Sequence, residues 1–136
     1  MSSLFVYDVN TYLKADSELQ SLMGSNDFNI FPAVAPDETK APMILWTLRS
    51  NIRSPELPYF RIDEFCYHVY DTDADRCLQI GERIISILSI SDKINKIPSY
   101  RSGKWCYLRK GNFSGPSERE GWYMYILDFE AAHLPA

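Results

Sequence analysis

Four acidic residues, Asp71, Asp73, Asp75 and Glu82, occupy the first, third, fifth and twelfth positions of the frame with which an EF-hand loop surrounds calcium. The sixth position of such a loop needs glycine for a sharp turn, and here it is Arg76. The residues before Asp71 alternate like a strand where an EF-hand needs a helix. The apolar period through Cys77 and Leu78 asks for helix where the loop should be. These carboxylates therefore predict a helix start, with Asp73 capping the N-terminus and Asp75 complementing the dipole.

Nucleophilic catalysis needs a nucleophile, a base and an orienting group, and His68 and His133 are the histidines on offer. Cys66 and His68 lie two apart on one strand and so share a face, which leaves a thiolate–imidazole pair geometrically open. A half-exposed strand face of mixed polar residues explains them more simply. His133 sits close to the C-terminus. Gly111, Gly115 and Gly121 are spread without a GxGxxG or P-loop pattern, so no nucleotide cradle is expected. The nearest carboxylate sets, Asp63 with Glu64, Glu118 with Glu120 and Asp128 with Glu130, lack a metal-ligand histidine and read as solvated faces. The expectation is a protein that is not an enzyme and uses no cofactor or metal.

Composition points the same way. A chain of 136 residues suits a single domain spanning 1–136, with one core. Aromatic residues reach 14%, including nine Tyr and three Trp, a surplus that suits surfaces binding other protein. A net charge of -4 without a Lys/Arg cluster argues against a grip on DNA. There is no apolar run of about 20 residues for a membrane span and no signal-peptide pattern at Met1–Phe5, so a cytosolic protein is expected. Cys66, Cys77 and Cys106 are odd in number and without CxxC spacing, and each sits in an apolar pattern as a reduced packing residue.

The elements that would position these groups follow from periodicity. Phe65, Tyr67 and Val69 alternate as a strand, and from Ala74 the apolar positions Cys77, Leu78, Gly81, Ile84, Ile85 and Leu88 recur at helical spacing, with Asp75, Gln79 and Arg83 opposite. Two short helices open the chain, Leu4–Ala15 and a second carried by a Ser17/Gln20 capping box and stopped by Gly24. Asn29–Val34, bounded by Pro32 and Pro36, belongs at a sheet edge. Pro42–Arg49, Trp105–Arg109 and Trp122–Phe129 read as strands with apolar residues on both faces, so the second face needs a cover. Sister copies could supply it, and so could the chain's own helices and loops. Ser50–Phe60 and Lys110–Gly121 read as long loops whose apolar residues suit docking against a neighbour. The class is α+β: a mostly antiparallel sheet of four to five strands, an N-terminal helix pair and one helix over about 74–89 packed on it.

In this order, an N-terminal helix with Leu13, Asp16, Leu19 and Leu22, the Ile30-Phe31-Pro32 piece, the strand opening Pro42-Met43-Ile44 and the Phe65–Leu88 strand and helix resemble the tail terminator or tail completion proteins of long-tailed bacteriophages. The resemblance covers the first ninety or so residues, and the last two strands fit the family's closing hairpin. It implies a hexameric ring in the virion neck, assembled in the host cytoplasm. The ring caps the tail tube protein and joins it to the head connector or stopper protein, while DNA passes through the bore unbound and no membrane is involved. Trp46, Leu57, Tyr59 and Phe113 are the expected interface residues, since large apolar side chains on strand faces and loops supply most binding energy. A head-side stopper or other neck adaptor, a monomeric module for a small ligand or protein, and a small hydrolase on Cys66 and His68 are the competing readings.

Overall fold

Val6, Val9 and Leu13 recur three and four apart, and that stripe gives α1 (Ser3–Lys14) one fully buried face. The structure, a computed structural model, describes residues 3–36, 39–53, 61–88 and 106–133, with side chains placed for 6–36, 39–48, 64–88 and 113–130. A corner at Asp16 leads into α2 (Ser17–Met23). The expected cap on Ser17 moves back one residue: the Asp16 carboxylate accepts the Leu19 N–H at 2.9 Å, and Gln20 instead donates to the Lys14 carbonyl at 2.7 Å. Aspartate satisfies the free amide as serine would and adds a negative charge at the positive end of the helix. Gly24, at φ 78°, closes α2 in the left-handed conformation.

Among the described residues five strands follow: β1 (Ile30–Pro32), β2 (Met43–Arg53), β3 (Arg61–Asp71), β4 (Cys106–Arg119) and β5 (Trp122–His133), with α3 (Ala74–Leu88) between β3 and β4. They form one sheet in the order β1-β2-β3-β5-β4. Among the described strands only the β1–β2 pair is parallel, and β1, which ends on Pro32, lies at the edge. The class is thus α+β with a mostly antiparallel sheet.

One expected loop begins as strand, and the other is strand almost throughout. Ser50–Arg53 continues β2 and pairs with β3 out to Arg61, while Ser54–Phe60 lies outside the described residues. Lys110–Arg119 is not a loop either, because β4 pairs with β5 along its length and absorbs the glycines as bulges. Gly111 and Asn112 are skipped between the Lys110–Phe129 and Phe113–Leu127 pairs, and Gly115 and Pro116 between Ser114–Ile126 and Ser117–Met124. Gly115 stands at φ 126°, where an added Cβ would lie 2.6 Å from the Met124 carbonyl oxygen, so the bulge admits glycine alone. Glu120 and Gly121, both at positive φ (55° and 85°), turn the chain directly into β5 in the manner of a tight hairpin. The Glu118 carboxylate accepts the Gly121 N–H at 2.9 Å across that turn.

One sheet face meets the helices. Ile44 and Trp46 of β2, Phe65, Tyr67 and Val69 of β3, and Tyr125, Leu127 and Phe129 of β5 pack in one cluster with Val6, Val9, Leu13, Leu19 and the inner stripe of α3. That stripe is Cys77, Ile80, Gly81, Ile84, Ile87 and Leu88. Leu78, expected within it, is 40% exposed, because it lies about one 100° step around the helix from Cys77. Inside the core the Tyr67 hydroxyl, 0% exposed, is matched by Asn10, to whose Oδ1 it donates at 2.5 Å.

Gly81 sets how near α3 lies to the sheet. A Cβ there would fall 2.3 Å from Tyr125 Cδ2, so the ring rests directly on the helix backbone while its hydroxyl donates to Glu82 at 3.1 Å. Gly81→Ala should therefore destabilise the fold by about 1–3 kcal/mol through overpacking, despite alanine's better helix propensity. Urea unfolding checks this, and an unchanged midpoint would show that α3 can ride higher on β5.

Burial also governs the alkaline limit of stability. The Tyr67 phenol is held well above its ordinary pKa of 10.0 by burial, and the Cys77 thiol is pushed up from 9.0 to about 11 by burial and then by the Asp71 charge. Between the unfolded and folded values the native state holds more protons than the unfolded chain. Stability from these groups is complete below about pH 9 and declines as pH rises beyond it. Urea midpoints measured across pH 8 to about 11 should fall, and less steeply above pH 10 in Tyr67→Phe. Equal slopes in the two proteins would remove Tyr67 as a cause.

Candidate functional site

The acidic cluster at the β3–α3 junction is structural in its geometry. Asp71 is fully buried and holds Arg76 through two contacts of 2.7 Å, to Nε and Nη2, while its Oδ1 accepts the Asp73 N–H at 3.1 Å. Asp73 Oδ1 accepts the Asp75 and Arg76 N–H groups at 3.0 and 3.2 Å, which makes it the cap of α3. Glu82 stands two turns along the helix and is engaged by Tyr125. Hydrogen bonding to Asp71, opposed by partial burial, raises the Arg76 pKa further above its ordinary value, so this cation keeps its charge. Among the described residues no group of three His, Cys, Asp or Glu side chains is placed to hold a metal ion.

The pair that the strand period brings together does meet. Cys66 Sγ lies 3.3 Å from His68 Nε2, on the sheet face turned away from the helices, with Asp128 opposite Cys66 on β5. The face is less open than the alternation suggests: Cys66 is 0% exposed and His68 half-buried. A thiol without accessible surface gives a substrate no path to sulfur in this conformation. Cys77 is likewise buried, its Sγ 3.7 Å from the Val69 carbonyl oxygen, and both cysteines are free thiols. The Cys106 side chain lies outside the described residues, and His133 is the last residue of β5, paired with Arg61 and Cys106.

The expected interface residues separate into two groups. Trp46 is 8% exposed on the helix-side face, edge-to-face with Tyr7 at 5.5 Å, and Tyr7 is 47% exposed. Phe113 is half-buried on β4, with its ring 5.4 Å from that of Phe129. Leu57 and Tyr59 lie outside the described residues. On the far face Leu45 and Cys66 are buried and Met43, Thr47, His68, Tyr70, Met124 and Ile126 are half-buried within one chain. The two-sided strands therefore leave less bare apolar surface than sequence alternation implies, and the case for sister copies as the cover is correspondingly weaker.

Sequence reasoning missed the contacts that unite distant segments. Arg83 of α3 reaches Asp16 with Nε at 2.9 Å and Nη2 at 2.8 Å and also lies 3.2 Å from Glu18, so the α2 cap doubles as an anchor for α3. The bond to Asp16 raises the Arg83 pKa, as with Arg76. Beside it runs a shallow groove between α2 and α3 lined by Glu18, Leu22, Gln79, Glu82, Arg83 and Ser86. Nothing local in the sequence announces a pair 67 residues apart. Among the described residues no helix is long and apolar enough to cross a membrane.

No protein-family model matches the chain, and no curated protein matches it in sequence. Its fold does match solved structures. One is a chain from the virion of a native gene transfer agent particle, with a TM-score of 0.62 at 15% identity over 93% of this chain and 92% of that one. At that identity the likeness is one of fold.

Proposed function

We propose that this chain is a structural assembly protein of a phage-like particle, forming a six-fold ring in the neck that caps the tail tube and joins it to the head connector. The observation that carries this reading is a fold shared with a gene transfer agent virion chain over nearly the whole of both chains. The element order that resembles tail terminator proteins agrees with it. A homo-oligomer closed by heterologous contacts needs two different surfaces per subunit. The asymmetric sheet supplies them, with a three-residue parallel strand at one edge and a 14-residue antiparallel strand at the other.

Within this reading the ring contacts are Trp46, acting through the exposed Tyr7 beside it, Phe113 at the β4 edge, and Leu57 and Tyr59 in the β2–β3 connection. Partners are tail tube and connector proteins, the bore passes DNA without binding it, and neither catalysis nor a cofactor is involved. An acidic net charge suits such a bore. The burial of Leu45 and Cys66 on the far sheet face favours a second reading, a monomeric binding module that shelters its own sheet.

Particle size separates the two readings, measured by light scattering on the protein alone and with tail tubes from its own particle. Association into a ring, alone or on the tubes, is expected, and a monomer indifferent to tubes would establish the module. Phe113→Ala and Tyr59→Ala should each weaken assembly while the subunit still melts cooperatively. Loss of the Phe113–Phe129 contact should cost about 1–3 kcal/mol of subunit stability.

A further inference from the structure

We propose that neighbouring copies join edge to edge, with β4 of one copy laid antiparallel against the stretch of β2 beyond Trp46 in the next, so that the sheets run on from subunit to subunit. The inference rests on the ring reading and specifies its contact.

A strand paired on one side leaves its other row of N–H and C=O groups to water or to another strand. Among the described residues β4 pairs only with β5, and β1 covers β2 only from Ile44 to Trp46, which leaves Thr47–Arg53 without a strand on that side. The open edges thus lie at opposite ends of the sheet and differ in sequence, as a head-to-tail contact requires.

Polarity agrees. β2 to β3, β3 to β5 and β5 to β4 are three antiparallel steps, so β4 runs opposite to β2 within one subunit. A copy reached by rotation about an axis along the strands keeps every strand direction. Its β2 therefore meets β4 antiparallel, the more stable ladder.

The sheet faces agree as well. Rotation keeps the helices on one side, and on that side each open edge carries a half-buried apolar residue packed against the core, Phe113 on β4 and Leu48 on β2. The registers set Leu48 level with Lys110 and Phe113 one step further along, so joining the edges places the two apolar residues diagonally across the new contact and adds cover to both. The bulges after Lys110 and Ser114 twist the rest of β4 away from regular pairing, which confines the new ladder to Cys106–Lys110, with Phe113 at its end.

Amide hydrogen exchange read by mass spectrometry, on dispersed and assembled protein, tests the contact. In peptides covering Thr47–Arg53 and Cys106–Lys110, the alternate amides that face away from β3 and β5 should exchange rapidly in the dispersed protein and at least about tenfold more slowly in the assembly, with α1 unchanged. Assembly that leaves both peptides rapid would overturn the edge contact and leave the ring intact. Slow exchange of those outward amides already in the dispersed protein would mean that the chain covers its own edges, and would equally overturn it. A protein that assembles neither alone nor on tail tubes would defeat the ring reading and this contact together.

Discussion

The contact on which the rest of the structure depends is the close seating of α3 on the sheet, where Tyr125 of β5 rests against the backbone at Gly81. Ile80, Ile84 and Ile87 can reach the same core as Phe65, Tyr67 and Leu127 only because no side chain holds the helix away at that point. Two arginines then fix the helix in place. Arg76 ties its first turn to the buried Asp71 at the end of β3, and Arg83 ties its middle to Asp16 and through it to α2. The N-terminal helices are thereby held over β2 and β3, where Asn10 and Tyr7 meet Tyr67 and Trp46.

Most residues that suggested chemistry serve this scaffold. Asp71 and Asp73 turn a strand into a helix, and Glu82 receives the Tyr125 hydroxyl. A buried carboxylate is costly unless paired, and a two-point contact with an arginine that stays charged meets that cost. The spacing that imitates a calcium loop thus reflects what a strand-to-helix corner needs: an anchor, a cap, and a negative charge in the first turn.

How much was legible follows from how local each signal is. The switch from period two to helical spacing between Phe65 and Leu88 marked α3 nearly to the residue and the middle of β3, whose ends at Arg61 and Asp71 lie beyond the apolar alternation. The bulged β4 was hidden because Gly111, Gly115 and Pro116 are the residues that also mark loops, and only the partner strand distinguishes the two cases. The α2 cap slipped by one because Asp16 and Ser17 are both good caps and only the Arg83 contact favours the first. Of the proposed contact residues, alternation put Trp46 on a strand face without saying that the face is the core. It gave no sign that Phe113 stands at an edge strand.

What remains is whether a subunit that shelters most of its own sheet is nonetheless built to assemble. The proposed ring takes its structural support from the two unlike open edges at opposite ends of the described sheet. Electron microscopy of the purified protein mixed with tail tubes tests that claim most directly. The account predicts six-fold rings seated on tube ends, and bare tube ends among dispersed single subunits would contradict it.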